Sequence, residues 1–423
     1  MGRGLAEVVA SDPSKEPQLR SLTPRKGVRL ATAVALASGV AGLATLVNFT
    51  STAQADPSFV SAYAGVGADV TQDVFAGLSG ASPAPPSSTV NWYPPIHSSS
   101  ATNNRTIDSF DANPAGGTTS NPGCITTKLG GPSFDRPGST TAGLAALLAS
   151  VTGSGWQNTA ASCTGAAVNV TGQIDFARAA RGPKVSGTTL TFIPYARDGL
   201  GIVYYDHGTG NIATLSTAQL TALYSSPTGT ATINGDTVYA CLTISGSTPR
   251  SNLESAIGVS DATASAAATA AGCNNLIQNS GNTFYTFAST LGSGKDAVVP
   301  ISSASWISQA NGLAVDRSNT ARTGGADLAA IDSLGKPYTG TAPSEAPNTT
   351  YYQSTQYGYN VYTVVPTSKL SSFTQDAALE SLFVGTGSAL CSSTEQTIVN
   401  SFGFDSLVSS EGTCGSTTQT GNG

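Results

Sequence analysis

The chain has 423 residues, of which only 10% are charged, with a net charge of −6 and a pI near 4.9. So few charges beside 39% hydrophobic residues exclude a disordered chain, and the acidic balance excludes a broad nucleic-acid surface. The length suffices for two packed domains.

Residues 1–55 read as a Sec-type signal peptide. A basic segment (Arg20, Arg25, Lys26, Arg29) precedes the apolar run Leu30–Val47, and Ala53-Gln54-Ala55 supplies small residues for cleavage before Asp56. The expectation is a secreted, extracellular protein. An uncleaved anchor in the membrane is the alternative, since an 18-residue apolar run approaches the length that spans a bilayer. Beyond residue 55 lie 13 of the 19 Lys and Arg and 22 of the 25 Asp and Glu. All six cysteines, Cys124, Cys163, Cys241, Cys273, Cys391 and Cys414, lie there too. An even number in an exported chain reads as three disulfides. Their connectivity is open; pairing in sequence order is expected because it closes three modest loops. Without C-x-x-C, and with His97 and His207 as the two histidines, no metal site and no cofactor are expected.

Ala62–Asp69 reads as a glycine-punctuated strand end and Val70–Leu78 as a short helix capped by Asp69 or Thr71. A glycine turn feeding a helix leaves N–H groups unpaired, which favours an anion. Residues 80–123, rich in Ser, Pro, Thr, Asn and Gly, read as surface loop around a short strand at Val90–Tyr93. After Arg136-Pro-Gly, the hydroxyls of Ser139, Thr140 and Thr141 open a helix with Leu144, Leu147 and Leu148 on one face. They either cap that helix or meet a ligand.

Ile174–Pro183 begins as a short apolar strand, releases Arg178 and Arg181, and stops at Gly182-Pro183. Four of the 13 cations, Arg178, Arg181, Lys184 and Arg197, gather in this region. The planar guanidinium fork fits carboxylate, sulfate or phosphate oxygens two at a time, so the cluster reads as a small-anion site. A structural ion-pair knot is the alternative.

Leu190–Ala196 and Gly201–Tyr205 read as two strands, Leu215–Tyr224 as a helix capped by Ser216, and Val238–Ile244 as a strand. That strand ends in Ser245-Gly-Ser-Thr-Pro-Arg-Ser251 and opens a helix at Asn252–Ile257, a third polar strand-to-helix junction. Asp261–Cys273 reads as an alanine-rich helix, and Ala297–Ile301 then Ser302–Gln309 as strand and helix. Gly292-Ser-Gly-Lys295 fails as a phosphate loop, because Ser289 stands for the first Gly and Asp296 for the Ser/Thr. A strand at Asn360–Val365 and helices near Thr374–Val384 and Thr394–Phe402 close the chain. Alternating strands and helices imply α/β layers. The three junctions fit a cleft between two such domains, where helix starts converge on one anion.

Ala64-Gly-Val-Gly-Ala-Asp-Val-Thr71, Arg136-Pro-Gly-Ser-Thr-Thr-Ala142, Ile174-Asp-Phe-Ala177 and Ser245-Gly-Ser-Thr-Pro-Arg250 come in this order. In that order the chain resembles the phosphate-binding family of periplasmic-type solute-binding proteins of ABC importers. The resemblance implies a two-lobed periplasmic-binding-protein-like α/β fold of type 2. It would have mixed, mostly parallel sheets, helices on both faces and a double crossover hinge. Residues 56–194 plus 360–423 would form lobe 1, and 195–359 lobe 2. Ligand contacts would come from Asp69, Val70, Thr71, Ser139, Thr140, Thr141, Arg178, Arg181, Ser245, Ser247, Thr248 and Arg250. The implied protein is a monomer that captures phosphate or a related oxyanion for an ABC permease. Two departures concern the ligand: the turn after Asp175-Phe176 carries Ala180 where the family has a proton-accepting Asp, and Gly246-Ser-Thr-Pro249 alters the usual Gly-Ser-Gly-Thr.

A secreted hydrolase is the enzyme alternative, but the chain has no G-x-S-x-G and its two histidines are isolated, so no catalytic residue is expected. A secreted surface or scavenging protein that uses the same fold without transport is the other alternative.

Overall fold

The computed structural model describes residues 63–80, 93–99, 105–113, 123–159, 162–207, 212–371 and 373–423. The expected export signal lies outside the described residues, as do Val90 and parts of the loop region over 80–123. Among the described residues the main sheet has ten strands. In chain order they are β1 (Tyr63–Gly67), β2 (Ile107–Ser109), β3 (Phe176–Ala179), β4 (Leu190–Tyr205), β5 (Thr230–Ile233), β6 (Asp236–Ala240), β7 (Lys295–Ser302), β8 (Asp327–Leu328), β9 (Gly358–Pro366) and β10 (Gln419–Gly421). The helices are α1 (Gln72–Leu78), α2 (Thr140–Thr152), α3 (Thr217–Tyr224), α4 (Thr248–Ile257), α5 (Asp261–Ala270), α6 (Gly281–Ala288), α7 (Ser303–Ala310), α8 (Asn319–Thr323), α9 (Thr349–Tyr352), α10 (Ala377–Phe383) and α11 (Ser393–Ser401).

The strand order is β5-β6-β7-β4-β9-β3-β1-β2, with β8 and β10 also pairing on β4. β1 runs parallel to β2 and β3, and β6 parallel to β7. Pairs made by β4 and β9 are antiparallel, so the sheet is mixed, its parallel parts lying on either side of those two strands.

Two-residue alternation sends each strand's apolar side chains to two opposite cores. Tyr63, Phe176, Ile193 and Val365 join one core with Phe75 of α1, Leu379 of α10 and Val399 of α11. Ala64, Ala177, Phe192 and Val364 join the other with Leu144 and Leu147 of α2. The second half of the sheet repeats this. Ile202, Val238 and Val298 pack with α3, α4 and α5, whereas Val203, Val299 and Ile301 pack with Phe284 of α6 and Trp306 of α7. Helices therefore cover both faces.

β4 joins the two halves. It is 16 residues long, with Leu190–Gly199 paired to β9 and Leu200–Tyr205 paired to β7. The sequence reads it as two strands because Arg197 and Asp198 interrupt the apolar run. The structure makes it continuous because both charges find bonds in the interior. A Cβ on Gly199 would also lie 2.9 Å from the Tyr352 ring, so a bare backbone is needed there. The lobe boundary expected at 194/195 lies inside β4, and that at 359/360 lies inside β9.

The short helices α8 and α9 fall where no helix was expected, α1 starts at Gln72 and not Val70, and α4 and α6 depart furthest from expectation. α4 starts at Thr248, a turn before Asn252, because Pro249 in the first turn is preset for a helix start. α6 was not expected; Ser280 caps it and Phe284 and Ala288 anchor it. The cysteines pair in sequence order, Cys124–Cys163, Cys241–Cys273 and Cys391–Cys414. Among the described residues no helix is long and apolar enough to cross a membrane.

The Cys241–Cys273 bridge closes a separation of 32 residues around α4 and α5. Replacing both cysteines with alanine is expected to lower unfolding stability by about 2–4 kcal/mol, measured as a shift in the denaturant midpoint.

Candidate functional site

The starts of α2 and α4 meet across a cleft between the two halves. Ser139 caps α2 by accepting a hydrogen bond from Ala142 N at 3.2 Å. Gly143, inside α2, lets the helix press onto the end of β1: a Cβ there would lie 2.4 Å from Gly67 Cα. Thr140 is thereby held beside the end of β3, where its Oγ1 accepts from Ala180 N at 3.1 Å. The same Oγ1 lies 3.4 Å from Thr248 Oγ1, the first residue of α4.

The cleft holds about 420 Å³. Thr140, Thr141, Ala180, Arg181 and Lys184 line it from one half, and Ser245, Gly246, Thr248, Ser251, Asn252, Glu254, Ser255 and Asp261 from the other. Arg181 donates to Thr141 Oγ1 at 3.2 Å and to Gly182 O at 3.1 Å, and burial lowers its pKa. Asn252 Nδ2 is buried without an acceptor among the described residues. Two positive helix ends, a guanidinium, an ammonium and several hydroxyls therefore face one space. The carboxylates at its edge are already engaged. Arg250 donates from Nε to Glu254 Oε1 at 3.1 Å, and its Nη2 lies 2.7 Å from Asp261 Oδ1. Burial raises Glu254 to about 7, helped by the adjacent Asp261.

Of the residues singled out in the sequence, Thr140, Thr141, Arg181, Lys184, Ser245 and Thr248 come together here, and Ser139 caps the helix behind them. The others have different tasks. Arg178 is wholly buried and reaches backwards, donating to Ala68 O (3.3 Å), Gly67 O (3.2 Å), Phe110 O (2.8 Å) and Ser109 Oγ (2.5 Å). Burial lowers it to about 10. It clamps the ends of β1 and β2 to β3 and does not line the cleft. Arg250 is buried among Glu254, Asp261 and Thr243 O. Ser247 Oγ pairs with Thr243 Oγ1 at 2.7 Å, Val70 packs in the core, and Thr71 donates to Ala68 O at 3.3 Å. Asp69 accepts from Asn279 Nδ2 at 2.7 Å, a bond that crosses between the halves. Arg197 lies on β4 and is bonded to Tyr352 O, Asn360 and Glu411.

Ser251, Asn252 and Ser255 were not singled out from the sequence. Together with Thr248 they follow the three- and four-residue spacing of one helix face, so the stripe was readable once the helix start moved to Thr248.

Comparison with protein-family models gives no match, and comparison with curated proteins gives none. Among solved structures the chain is similar to an ABC-type phosphate transport receptor from Vibrio cholerae. That match has 17% identity, covers 64% of this chain and 86% of that one, and has a TM-score of 0.35. It is also similar to a possible phosphate binding protein from Planctomyces limnophilus (10% identity, 83% and 95% covered, TM-score 0.36). PstS from Borrelia burgdorferi is a third (12% identity, 64% and 85% covered, TM-score 0.33).

Arg178→Met would take a charged donor from three buried carbonyls and a hydroxyl, of which Ala68 O keeps only Thr71 Oγ1 at 3.3 Å among the described side chains. It is expected to lower stability by about 3–5 kcal/mol in urea unfolding, a loss that a surface arginine would not produce.

Asp69 supports a prediction about pH. Burial raises its carboxyl to about 7 against the opposing pull of Asn279 and Arg317. The folded state thus keeps a proton that the unfolded chain releases near pH 4. The resulting stabilisation is complete below about pH 4 and is lost as pH rises through about 7. Relative to Asp69→Asn, which stays neutral, the unsubstituted protein should lose up to about 1.4 kcal/mol per pH unit over that window. Unfolding midpoints measured from pH 4 to 8 check this, and parallel curves for the two proteins would contradict it.

Proposed function

We propose that this is a non-enzymatic, exported solute-binding protein that captures a small oxyanion or a phosphorylated small molecule between two lobes. The observation that carries the reading is the meeting of two helix N-termini, at Thr140 and Thr248, beside Arg181. Positive helix ends brought face to face repel each other unless an anion lies between them. Asn252 Nδ2, which has no acceptor among the described residues, and the hydroxyls of Thr141, Ser245, Ser251 and Ser255 add donors to the same space. Its volume of about 420 Å³ favours a ligand larger than a bare tetrahedral anion.

On this reading residues 56–194 with 360–423 form one lobe and 195–359 the other, and the monomer closes on its ligand about β4 and β9. Bonds that already span the cleft support a closed arrangement, Asp69 to Asn279 at 2.7 Å and Gln278 Nε2 to Gly138 O at 3.2 Å. The order of the four sequence motifs supports an ABC permease as the recipient. The basic and apolar segment within residues 1–55 supports export.

Ala180 puts no carboxylate at the turn where a proton-bearing ligand would be sensed. Sulfate is therefore expected to compete with phosphate, having no proton to offer and meeting no acceptor at that turn, while Glu254 and Asp261 on the far wall are held by Arg250. Calorimetry with phosphate, sulfate and glycerol phosphate tests the reading. At least one should bind, and Arg181→Ala should weaken it by about 1.5–3 kcal/mol, as expected for a charged hydrogen bond. Absence of binding by all three, or affinity unchanged in Arg181→Ala, would overturn the assignment.

A further inference from the structure

Three carboxylates meet at the opposite end of the second half-sheet from the cleft. Asp206 follows β4, Asp236 opens β6 after the Asn234-Gly235 turn, and Asp296 is the second residue of β7. Strand register gathers them: β6 and β7 are parallel with Val238 opposite Asp296, and Ala297 stands opposite Tyr205. One oxygen from each carboxyl lies within 4.8 Å of the others.

Proximity of acids alone says little, because acidic groups often share a surface. Asp296 is different. Its side chain is fully buried, with Oδ1 accepting from His207 N at 2.7 Å and Oδ2 cut off from solvent without a hydrogen-bond partner among the described residues. An ionised oxygen in that condition is strongly unfavourable unless a positive charge lies against it. Burial raises the Asp296 carboxyl, and both Asp206 and Asp236 raise it further, while His207 opposes them. The His207 ring itself is turned to Tyr205 OH, 3.1 Å from its Nε2.

We propose that Asp206, Asp236 and Asp296 bind a hard divalent cation, calcium in preference to magnesium. The donor set is all oxygen, as hard cations require. Two oxygens on opposite sides of a calcium ion stand about 4.6–5.2 Å apart, which matches the span of the trio. Calcium also accepts irregular sets of six to eight oxygens, whereas magnesium demands a short, near-ideal octahedron. Three carboxylates fixed on separate strand ends suit the former. Asp206 is partly exposed, so water has access to complete the shell. The bound ion would staple the ends of β4, β6 and β7. The Gly292-Ser-Gly-Lys295 segment that fails as a phosphate loop would then deliver a cation ligand, Asp296, where a phosphate loop carries its hydroxyl.

Calorimetry and thermal unfolding of the full chain, stripped with a chelator and titrated with calcium or magnesium chloride, decide the matter. Calcium should bind at one site per chain and raise the unfolding temperature, with magnesium weaker. Asp296→Asn, and separately the more accessible Asp206→Asn, should each weaken calcium by at least about tenfold, consistent with loss of a charged ligand. Without calcium each variant should unfold at or above the temperature of the unsubstituted protein, since like charges are relieved. If Asp296→Asn does not fold, Asp206→Asn carries the test. The site is overturned if calcium produces no heat and no thermal shift up to about 10 mM, beyond the weak end of protein calcium sites. Unchanged affinity in the variants overturns it equally, and magnesium binding as tightly as calcium overturns the stated preference.

Discussion

Asp198 is a fully buried carboxylate placed where β4 leaves one set of partners for another, and it is satisfied by four donors from three parts of the chain. Gly199 N donates from β4 itself (2.7 Å), Ser302 Oγ (2.6 Å) and Ala304 N (3.0 Å) from the junction of β7 and α7, and Tyr359 OH (2.6 Å) from the start of β9. Burial raises the carboxyl to about 6 while these bonds pull it back. Its neighbour Arg197 does the complementary work, donating to Tyr352 O, Ser354 O, Asn360 and Glu411. Two adjacent charges on one strand thus fix the return of the chain into β9, the start of α7 and the C-terminal segment. A buried charge is tolerable only when its bonding is this complete, so the crossing cannot shift without breaking several bonds together.

The same logic divides the arginines. In a chain with few cations, each guanidinium near the cleft reads as a ligand group, yet Arg178, Arg197 and Arg250 are built into the scaffold. Each finds carbonyls or carboxylates within the fold, and a guanidinium with several internal acceptors gains nothing by turning to a ligand. Arg181 differs because its contacts, Thr141 Oγ1 and Gly182 O, are few and lie at the edge of the open space. The scaffold arginines still matter to the cleft. Arg178 holds the ends of β1, β2 and β3 together beneath α2, and Arg250 keeps Glu254 and Asp261 neutralised along one wall.

Strand direction separates the chemistry of the second half-sheet. The carboxyl end of β6 leads into Ser245–Thr248 and the donor-rich start of α4, whereas its amino end, beside that of β7, gathers Asp236 and Asp296 with Asp206. Helix starts fed by parallel strands collect on one edge, which becomes rich in N–H donors. The opposite edge is free of those helix starts and can hold acids. The two edges share strands and no side chains.

Alternation and helix spacing in the sequence by themselves determined the α/β layering and most element positions, whereas the cysteine pairing was decided by which strand and helix ends the fold brings together. The layering and positions follow from local rules: apolar period, capping hydroxyls, glycine and proline. Thr140, Thr141, Arg181, Ser245 and Thr248 were also legible as site candidates, since polar residues at strand-to-helix junctions have few other local roles. Only the tertiary structure decided that Leu190–Tyr205 is one strand, because Arg197 and Asp198 look like a break until their distant partners arrive. It likewise decided which arginines face the cleft. A guanidinium reaches in any direction its surroundings allow, and the carbonyls that capture Arg178, at Gly67, Ala68 and Phe110, lie more than sixty residues away in the sequence.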